Sequence, residues 1–354
     1  MERQRQYYSF VLNWSSSYRF RMMNAHVDIN HSPETRSTRA TYFVRVQMVK
    51  DEAAGIRSFE LVSPNGDQLP PFTAGAHIDV HLGNNIVRQY SLSNAPSERE
   101  KFRIAVLLDA NGRGGSLAMH KIKEGQLIEI SGPRNHFALA GPETNLHLML
   151  AGGIGVTPMM SMIPELEARG ANYALHYCTR TPENTAFLSD LAARIESKAV
   201  RVHHDNGDPA RGLDIEALVS NYVPGMHLYF CGPAGFMAEI KKHLGAWPPH
   251  AVHFEHFSAP ETGADYENHP FKIVIRKTGE VLEVSATESI VDVLRARGYS
   301  IETDCREGFC GTCITRYVGG TPEHRDCVLS ASERQKYLMV CCARAESPSL
   351  TLDL

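Results

Sequence analysis

Apolar residues between Tyr42 and about Gly141 follow a short, two-residue period. Ile56, Phe59 and Leu61 form one run, Ile78, Val80 and Leu82 alternate with Asp79 and His81 in a second, and Phe102 to Leu108 forms a third. That period puts alternate side chains on opposite faces of a strand, one face buried and one wet. Turn-forming Pro64-Asn65-Gly66, Gly83-Asn84-Asn85 and Asn111-Gly112 separate the runs at sandwich or barrel spacing. Residues 41–142 are therefore predicted to form an antiparallel β-barrel.

The pattern changes at Asn145. A wholly apolar run, Leu146 to Leu150, leads into a glycine turn and an amphipathic stretch from Thr157 to Arg169 that stops at Gly170. Further apolar segments at Tyr173 to Tyr177, Val200 to His203 and His227 to Phe230 alternate with helical patterns at Asn184 to Lys198 and Ala234 to Leu244. Strands alternating with helices predict a parallel α/β domain over 143–257. Residues 258–269 contain Pro260 and Gly263, carry no periodicity, and read as a linker. Beyond them, over 270–354, Phe271 to Ile275 and Val281 to Val284 suggest a hairpin and Ser289 to Arg297 a helix. The first forty residues are polar, arginine-containing and aperiodic, and read as a disordered tail.

With 354 residues, the chain has room for two or three domains. Its net charge of −4 argues against a general electrostatic claim on nucleic acid or an anionic membrane. The apolar stretch Leu148 to Met160 is broken by Gly152, Gly153, Gly155 and Pro158, short of the roughly 18 residues of a bilayer span. Phe10 to Leu12 is too short for a signal-peptide core, so a cytoplasmic location is expected. In that reducing setting the eight cysteines read as metal ligands or redox groups before disulfides.

The most specific pattern is Cys305, Cys310 and Cys313 followed at a distance by Cys341, the C-x4-C-x2-C…C spacing of a plant-type [2Fe–2S] cluster. Gly308 and Gly311 allow the intervening backbone to turn its amides toward inorganic sulfide. A zinc site would ordinarily offer a second C-x2-C knuckle, and none is present. Two other thiols compete for the fourth position. Cys342 adjoins Cys341 and would point oppositely on an extended segment; Cys327 lies in the polar turn His324-Arg325-Asp326 and is expected to face solvent. Cys341 is taken as the ligand.

Three further motifs carry chemistry. Arg88-Gln89-Tyr90-Ser91-Leu92 sets a cation, an aromatic ring and a hydroxyl within five residues, and alone would also read as an ordinary β-strand with a stacked tyrosine. Arg113-Gly114-Gly115-Ser116 opens a helix after the fifth barrel strand and forms an anion cradle. Gly152-Gly153-Ile154-Gly155-Val156-Thr157-Pro158 follows a buried strand and permits close approach of a pyrophosphate. It lacks the third glycine of G-x-G-x-x-G, and the next strand ends Tyr177-Cys178-Thr179-Arg180 without an acidic ribose partner.

The C-terminal unit resembles a plant-type ferredoxin of β-grasp fold. Arg88-Gln89-Tyr90-Ser91, the glycine turn at 152–158 and Cys231-Gly232-Pro233 with Gly235-Phe236-Met237 resemble the flavin and nicotinamide motifs of the ferredoxin–NADP reductase superfamily. The domain order resembles the phthalate dioxygenase reductase family over about Tyr42 to Leu354. Within that family the chain looks most like vanillate O-demethylase reductases and related proteins, on Ala74-Gly75-Ala76-His77-Ile78-Asp79-Val80 and Glu323-His324-Arg325-Asp326. The resemblance implies three parts: a Greek-key flavin barrel, a Rossmann-like nicotinamide domain and a ferredoxin domain.

It also implies roles. Tyr90 packs on the isoalloxazine, Arg88 and the Arg113–Ser116 turn hold an FMN phosphate, and Ser91, Thr157 and Cys231 surround flavin N5 and the nicotinamide. Gly152, Gly153, Gly155, Pro158, Thr179, Arg180, Gly232 and Pro233 complete the nucleotide site. The family favours NADH, although Arg180 is able to accept a 2′-phosphate. NADH delivers two electrons and a [2Fe–2S] cluster accepts one, so the implied protein splits a hydride into single electrons for a separate Rieske-type oxygenase of bacterial aromatic or methoxy-aromatic degradation. The chain itself has no C-x-H or E-x-x-H with which to activate oxygen. The rival readings are a freestanding NAD(P)H-dependent flavin or ferric reductase, which leaves the cysteine loop without a role, and a pure electron carrier, which leaves the nicotinamide motifs without one.

Overall fold

Alternation in the N-terminal third produces six strands: β1 (Thr41–Ala53), β2 (Ile56–Val62), β3 (His77–His81), β4 (Val87–Ser91), β5 (Lys101–Leu107) and β6 (Leu127–Arg134). They pair in the order β4-β3-β6-β1-β2-β5, antiparallel throughout, with β6 returning between β3 and β1 as a Greek key requires. The inward positions Val44, Val46, Phe59, Leu61, Ile78, Val80, Phe102, Ile104 and Ile130 make one buried core. A short helix α1 (Gly115–Met119) adds Met119 to it. The computed structural model describes residues 41–83, 86–112, 114–257, 267–303, 306, 308, 311–329 and 333–354. The predicted tail, most of the predicted linker, Arg113, Cys305 and Cys310 lie outside the described residues.

The second sheet is parallel and comprises β7 (Leu146–Gly152), β8 (Tyr173–Thr179), β9 (Val200–His204), β10 (Met226–Cys231) and β11 (Val252–Glu255), in the order β11-β10-β7-β8-β9. Helices α2 (Thr157–Ala168), α3 (Leu188–Glu196), α4 (Ile215–Val219) and α5 (Ala234–Lys242) connect them. Separate apolar clusters, one around Met159 and Tyr177 and one around Leu228 and Trp247, line this domain. Strand order reverses between β7 and β10, and the crevice beyond such a reversal is where open α/β sheets bind ligands.

The pattern over Asn184 to Lys198 predicts a longer helix than α3. Phe187 explains the difference: it takes a left-handed φ of 61°, which ends regular backbone before Leu188, and its ring is fully buried beneath the Arg103 guanidinium at 5.2 Å. Strand β11 was not anticipated either.

The C-terminal unit contains β12 (Phe271–Ile275), β13 (Val281–Val284), α6 (Ile290–Ala296), β14 (Ile314–Gly319), β15 (Pro322–Glu323), β16 (Tyr337–Met339), β17 (Arg344–Ala345) and β18 (Ser349–Leu352). β18 inserts between β12 and β14, parallel to the former and antiparallel to the latter, giving the order β13-β12-β18-β14-β16. The hairpin appears over the predicted residues, and α6 begins at a capping box in which Ser289 and Asp292 satisfy each other's amides.

The barrel and the parallel sheet share a core: Ile56, Ala74, Ala105 and Phe137 of the barrel pack with Met159, Met162 and Ile163 of α2. Polar contacts fix their registration. The Gly75 amide donates to Ser161 Oγ at 3.0 Å, and Arg103 forms a 2.6 Å ion pair with Asp190 of α3. These contacts bring the ends of β4, β7, β10 and β11 together.

Candidate active site and metal centre

On the barrel side, β4 carries the flavin motif. Ser91 is buried, and Leu92 turns its side chain into the barrel core, leaving its backbone amide to donate to Ala76 O at 2.8 Å. Tyr90 is half-buried, and that burial pushes its phenol up. Arg88 lies across the start of α1: a Cβ at Gly115 would come 2.5 Å from Arg88 Cγ, so glycine is what lets the guanidinium arm reach that turn. Gly114 caps the helix with a φ of 81°. A cation laid over a tight glycine turn fits a phosphate-bearing flavin. The Ser116 hydroxyl is engaged locally, accepting from Asp109 N at 3.0 Å and donating to Asp109 O at 3.1 Å.

The nicotinamide motifs meet each other directly. A Cβ at Gly155 would strike the Cys231 carbonyl oxygen and come within 2.8 Å of Gly232 N. One at Gly152 would lie 2.9 Å from Pro233 Cδ and 3.0 Å from the Phe236 ring. These glycines therefore serve to press the 152–158 turn against the Cys231-Gly232-Pro233 segment as well as to admit a ligand. Pro158 sits in the first turn of α2, and the buried Thr157 hydroxyl donates to Ile154 O at 3.0 Å. Thr179 is buried with its hydroxyl 2.7 Å from that of Thr185, whereas Arg180 is exposed.

Two residues of this crevice were not anticipated. Glu255, at the end of β11, stands in register with Cys231 and receives the Ser91 hydroxyl at 3.3 Å; His77 Nδ1 lies 3.7 Å from its other oxygen. Its side chain is only 15% exposed, and burial pushes its pKa up to about 8, with the Ser91 bond pulling the other way. Burial and the neighbouring Glu255 hold the Cys231 thiol well above its ordinary range, so it is a neutral group rather than a nucleophile. Period-two alternation over Val252-His253-Phe254-Glu255 was the available signal for this strand. The second residue is Asp205, just beyond β9. Its amide donates to Thr179 O at 3.2 Å, its carboxylate accepts from Gly207 N at 2.7 Å, and it helps burial raise the Cys178 thiol to about 12. An acidic residue, absent from the end of β8, thus stands just beyond the adjacent β9.

In the C-terminal unit Cys313 and Cys341 are both buried, at the start of β14 and just beyond β16, strands paired through Ile314 and Met339. Val340 N donates to Cys313 O at 3.4 Å. Arg306, Gly308 and Gly311 all take positive φ. A Cβ at Gly308 would lie 2.5 Å from Cys342 Sγ. Cys342 directs its thiol at Met339 O, 3.7 Å away. Cys327, expected to face solvent, is half-buried: its amide donates to Gly308 O at 3.1 Å and its thiol lies 3.8 Å from the same oxygen. Two buried cysteines flanking the paired strands β14 and β16 fit an iron–sulfur centre. Among the described residues no three metal-binding side chains converge, two of the four predicted ligands lying outside them. Nor is any described helix long and apolar enough to cross a membrane.

Residues 44–139 match the oxidoreductase FAD-binding domain, 149–242 the oxidoreductase NAD-binding domain, and 273–346 the 2Fe-2S iron-sulfur cluster binding domain. The chain is 43% identical over 322 residues to the reductase subunit of a tert-butanol monooxygenase / tert-amyl alcohol desaturase from Aquincola tertiaricarbonis, covering 88% of this chain and 95% of that one. It is 43% identical over 310 residues to a vanillate O-demethylase oxidoreductase from a Pseudomonas species, covering 85% and 96%. A solved structure of a phthalate dioxygenase reductase superposes with a TM-score of 0.69 at 40% identity, covering 89% of this chain and 98% of that one.

Proposed function

Because the chain belongs to the phthalate dioxygenase reductase family and is an oxidoreductase with flavin-, NAD- and [2Fe–2S]-binding domains, we propose that it takes hydride from NADH and passes electrons singly to a separate terminal oxygenase. When bound, a flavin, which we take to be FMN, would supply the conversion of a two-electron hydride into single electrons that a cluster could take. The protein's own work is positioning. Arg88 and the 113–116 turn bind a phosphate, the Tyr90 face supports a ring, and the packed glycine segments hold a nicotinamide above it. Cys305, Cys310, Cys313 and Cys341 hold the cluster. We assign 41–142, 143–257 and 270–354 to the three domains, joined by the 258–269 linker. The relatives are named as reductases of oxygenase systems, which supports a separate oxygenase of the aromatic-hydroxylating or demethylating kind as partner.

The observation that carries this reading is the Ser91–Glu255 hydrogen bond of 3.3 Å, which joins the flavin strand to the nicotinamide sheet across 164 residues of sequence. A neutral carboxyl there adds no negative charge beside Ser91 and Cys231. Asp205 supports NADH over NADPH, since its carboxylate accepts ribose hydroxyls and repels a 2′-phosphate. Two measurements test the reading: identification of the flavin released on denaturation, and kcat/KM for NADH and NADPH in the parent and in Asp205→Ser. FMN release, preference for NADH and a preference relaxed roughly tenfold in the variant are expected. Release of FAD overturns the FMN assignment, and an unchanged preference in the variant overturns the role of Asp205.

A further inference from the structure

Three strands of the parallel sheet carry a histidine as their second residue: His147 in β7, His227 in β10 and His253 in β11. Parallel pairing sets His227 beside His147 and Tyr229 beside His253, so these rings collect on one face of the sheet. His253 stacks on Tyr229 at 4.5 Å between centroids and on His227 at 5.2 Å, while His147 tilts against Tyr229 at 5.6 Å. His227 Nδ1 and His253 Nε2 stand 2.9 Å apart. A hydrogen bond there needs one N–H and one lone pair, so it holds only while at least one of the two rings is neutral. Two imidazoliums would set N–H against N–H and like charge against like.

Strand β11 is four residues long and pairs in the sheet only with β10, so its place depends on side-chain contacts of this kind. His253 and Glu255 are two residues apart and share a face. What fixes His253 on Tyr229 therefore also fixes Glu255 beside Cys231, where it receives the Ser91 hydroxyl. The charged groups facing the ladder are Arg169, just past α2 and paired with Glu165 at 2.8 Å, the exposed His250 in the turn before β11, 6.2 Å from the His227 ring, and the exposed Glu143 ahead of β7. Glu143 favours a charged His227, whereas Arg169 disfavours a charged His147, and His250 a charged His227 or His253. Burial is the largest cause in all three, drawing His147 and His253 down to about 4 and lowering His227 as well. The strand in place thus binds fewer protons than the strand released, and release is favoured as pH falls from 6.5 toward 4.

We propose that His227 and His253 are positioning residues for hydride transfer: as a neutral stacked pair they hold the edge strand β11, and with it the Glu255 carboxyl, and their protonation releases β11 and withdraws Glu255 from Ser91. The inference rests on the reading of the crevice as the hydride-transfer site. For one histidine at 6.5 when released and about 4 in place, the released form gains roughly thirtyfold between about pH 7.5 and about pH 5.

The test is hydrogen–deuterium exchange at residues 252–255, corrected for the intrinsic rate at each pH, in the flavin-loaded parent and His253→Phe at about pH 7.5 and about pH 5. Stopped-flow reduction of the flavin by NADH at the same two pH values is the companion readout. Phenylalanine keeps a ring on Tyr229 and has nothing to protonate. The parent is expected to lose roughly thirtyfold in protection at β11 and to reduce its flavin about threefold more slowly, or slower still, at the lower pH. The variant is expected to lose less than about threefold in protection and to keep its rate within about twofold. Should His253→Phe fail to fold, His253→Gln, which keeps a polar partner for His227 without a titrating group, reports the same differences. Protection of β11 that does not change with pH in the parent, or that falls equally in the variant, overturns the inference. Loss of protection with no slowing of flavin reduction also overturns it, by detaching Glu255 from the ladder. Absence of NADH-dependent flavin reduction in the parent at the higher pH overturns the reading of the crevice and the inference with it.

Discussion

Glu255→Gln removes an ionisable group while keeping its shape and its hydrogen bond to Ser91. In the parent, burial raises this carboxyl from 4.5 to about 8, which at 1.36 kcal/mol per pH unit corresponds to ~5 kcal/mol charged against the ionised form. The folded state holds the proton more tightly than the unfolded chain. It therefore binds more protons between pH 4.5 and 8, and stability falls as pH rises through that window. Between pH 6 and 8 the loss is about 2 kcal/mol, and glutamine, neutral throughout, does not incur it. Urea unfolding of parent and variant at matched pH isolates this term, because every other titrating group is common to both. The same substitution has a kinetic signature. Above about pH 8 the parent carboxyl ionises beside the buried Cys231 thiol, placing negative charge where hydride arrives, so flavin reduction by NADH slows with pH. The variant's profile is flat there. Parallel pH dependences of stability and of flavin reduction in the two proteins would refute the reasoning.

Other consequences follow from the same geometry. Gly155→Ala drives a methyl into the Cys231 carbonyl and is expected to cost about 1–3 kcal/mol while slowing NADH-dependent flavin reduction at least tenfold, checked by thermal melting and stopped-flow absorbance. His253, stacked on Tyr229, and His147, tilted against the same ring, are both pushed down to about 4, burial being the largest cause. Stability is thus lost as pH falls from 6.5 toward 4, on the order of 3 kcal/mol for one such group; replacing His147 with glutamine is expected to flatten the acid limb of the urea midpoint. Cys341→Ser abolishes the visible and EPR signature of the cluster whereas Cys342→Ser retains it, and the reverse result transfers the fourth ligand to Cys342.

Most of the architecture was legible because it rests on local periodicity. The two-residue alternation around Ile78 and Val80 and the apolar run at Leu146 to Leu150 mark their strands without knowledge of a partner. The Ser289–Asp292 capping box and Pro158 mark helix starts from a few adjacent residues. What escaped depends on tertiary placement. Strand β11 is an edge strand of four residues, and its importance arises only when Glu255 meets a serine 164 residues earlier. Asp205 lies at the end of β8 although it follows β9, because parallel pairing sets Thr179 beside His204. The glycines of 152–158 are recognisable as a motif, yet half of their purpose, contact with Cys231 and Pro233, is invisible until β7 and β10 pair. Cys327 read as exposed from its polar neighbours, and its half-buried place on Gly308 follows from the folded turn instead.

The central claim is that electrons enter as hydride at the Ser91–Glu255–Cys231 crevice and leave one at a time through the cysteine loop. An anaerobic titration of the iron-replete protein with NADH, followed by visible absorbance and low-temperature EPR, tests it most directly. The account predicts flavin bleaching together with a rhombic signal of a reduced [2Fe–2S] cluster. Bleaching with no iron–sulfur signal would contradict it and describe a simple flavin reductase.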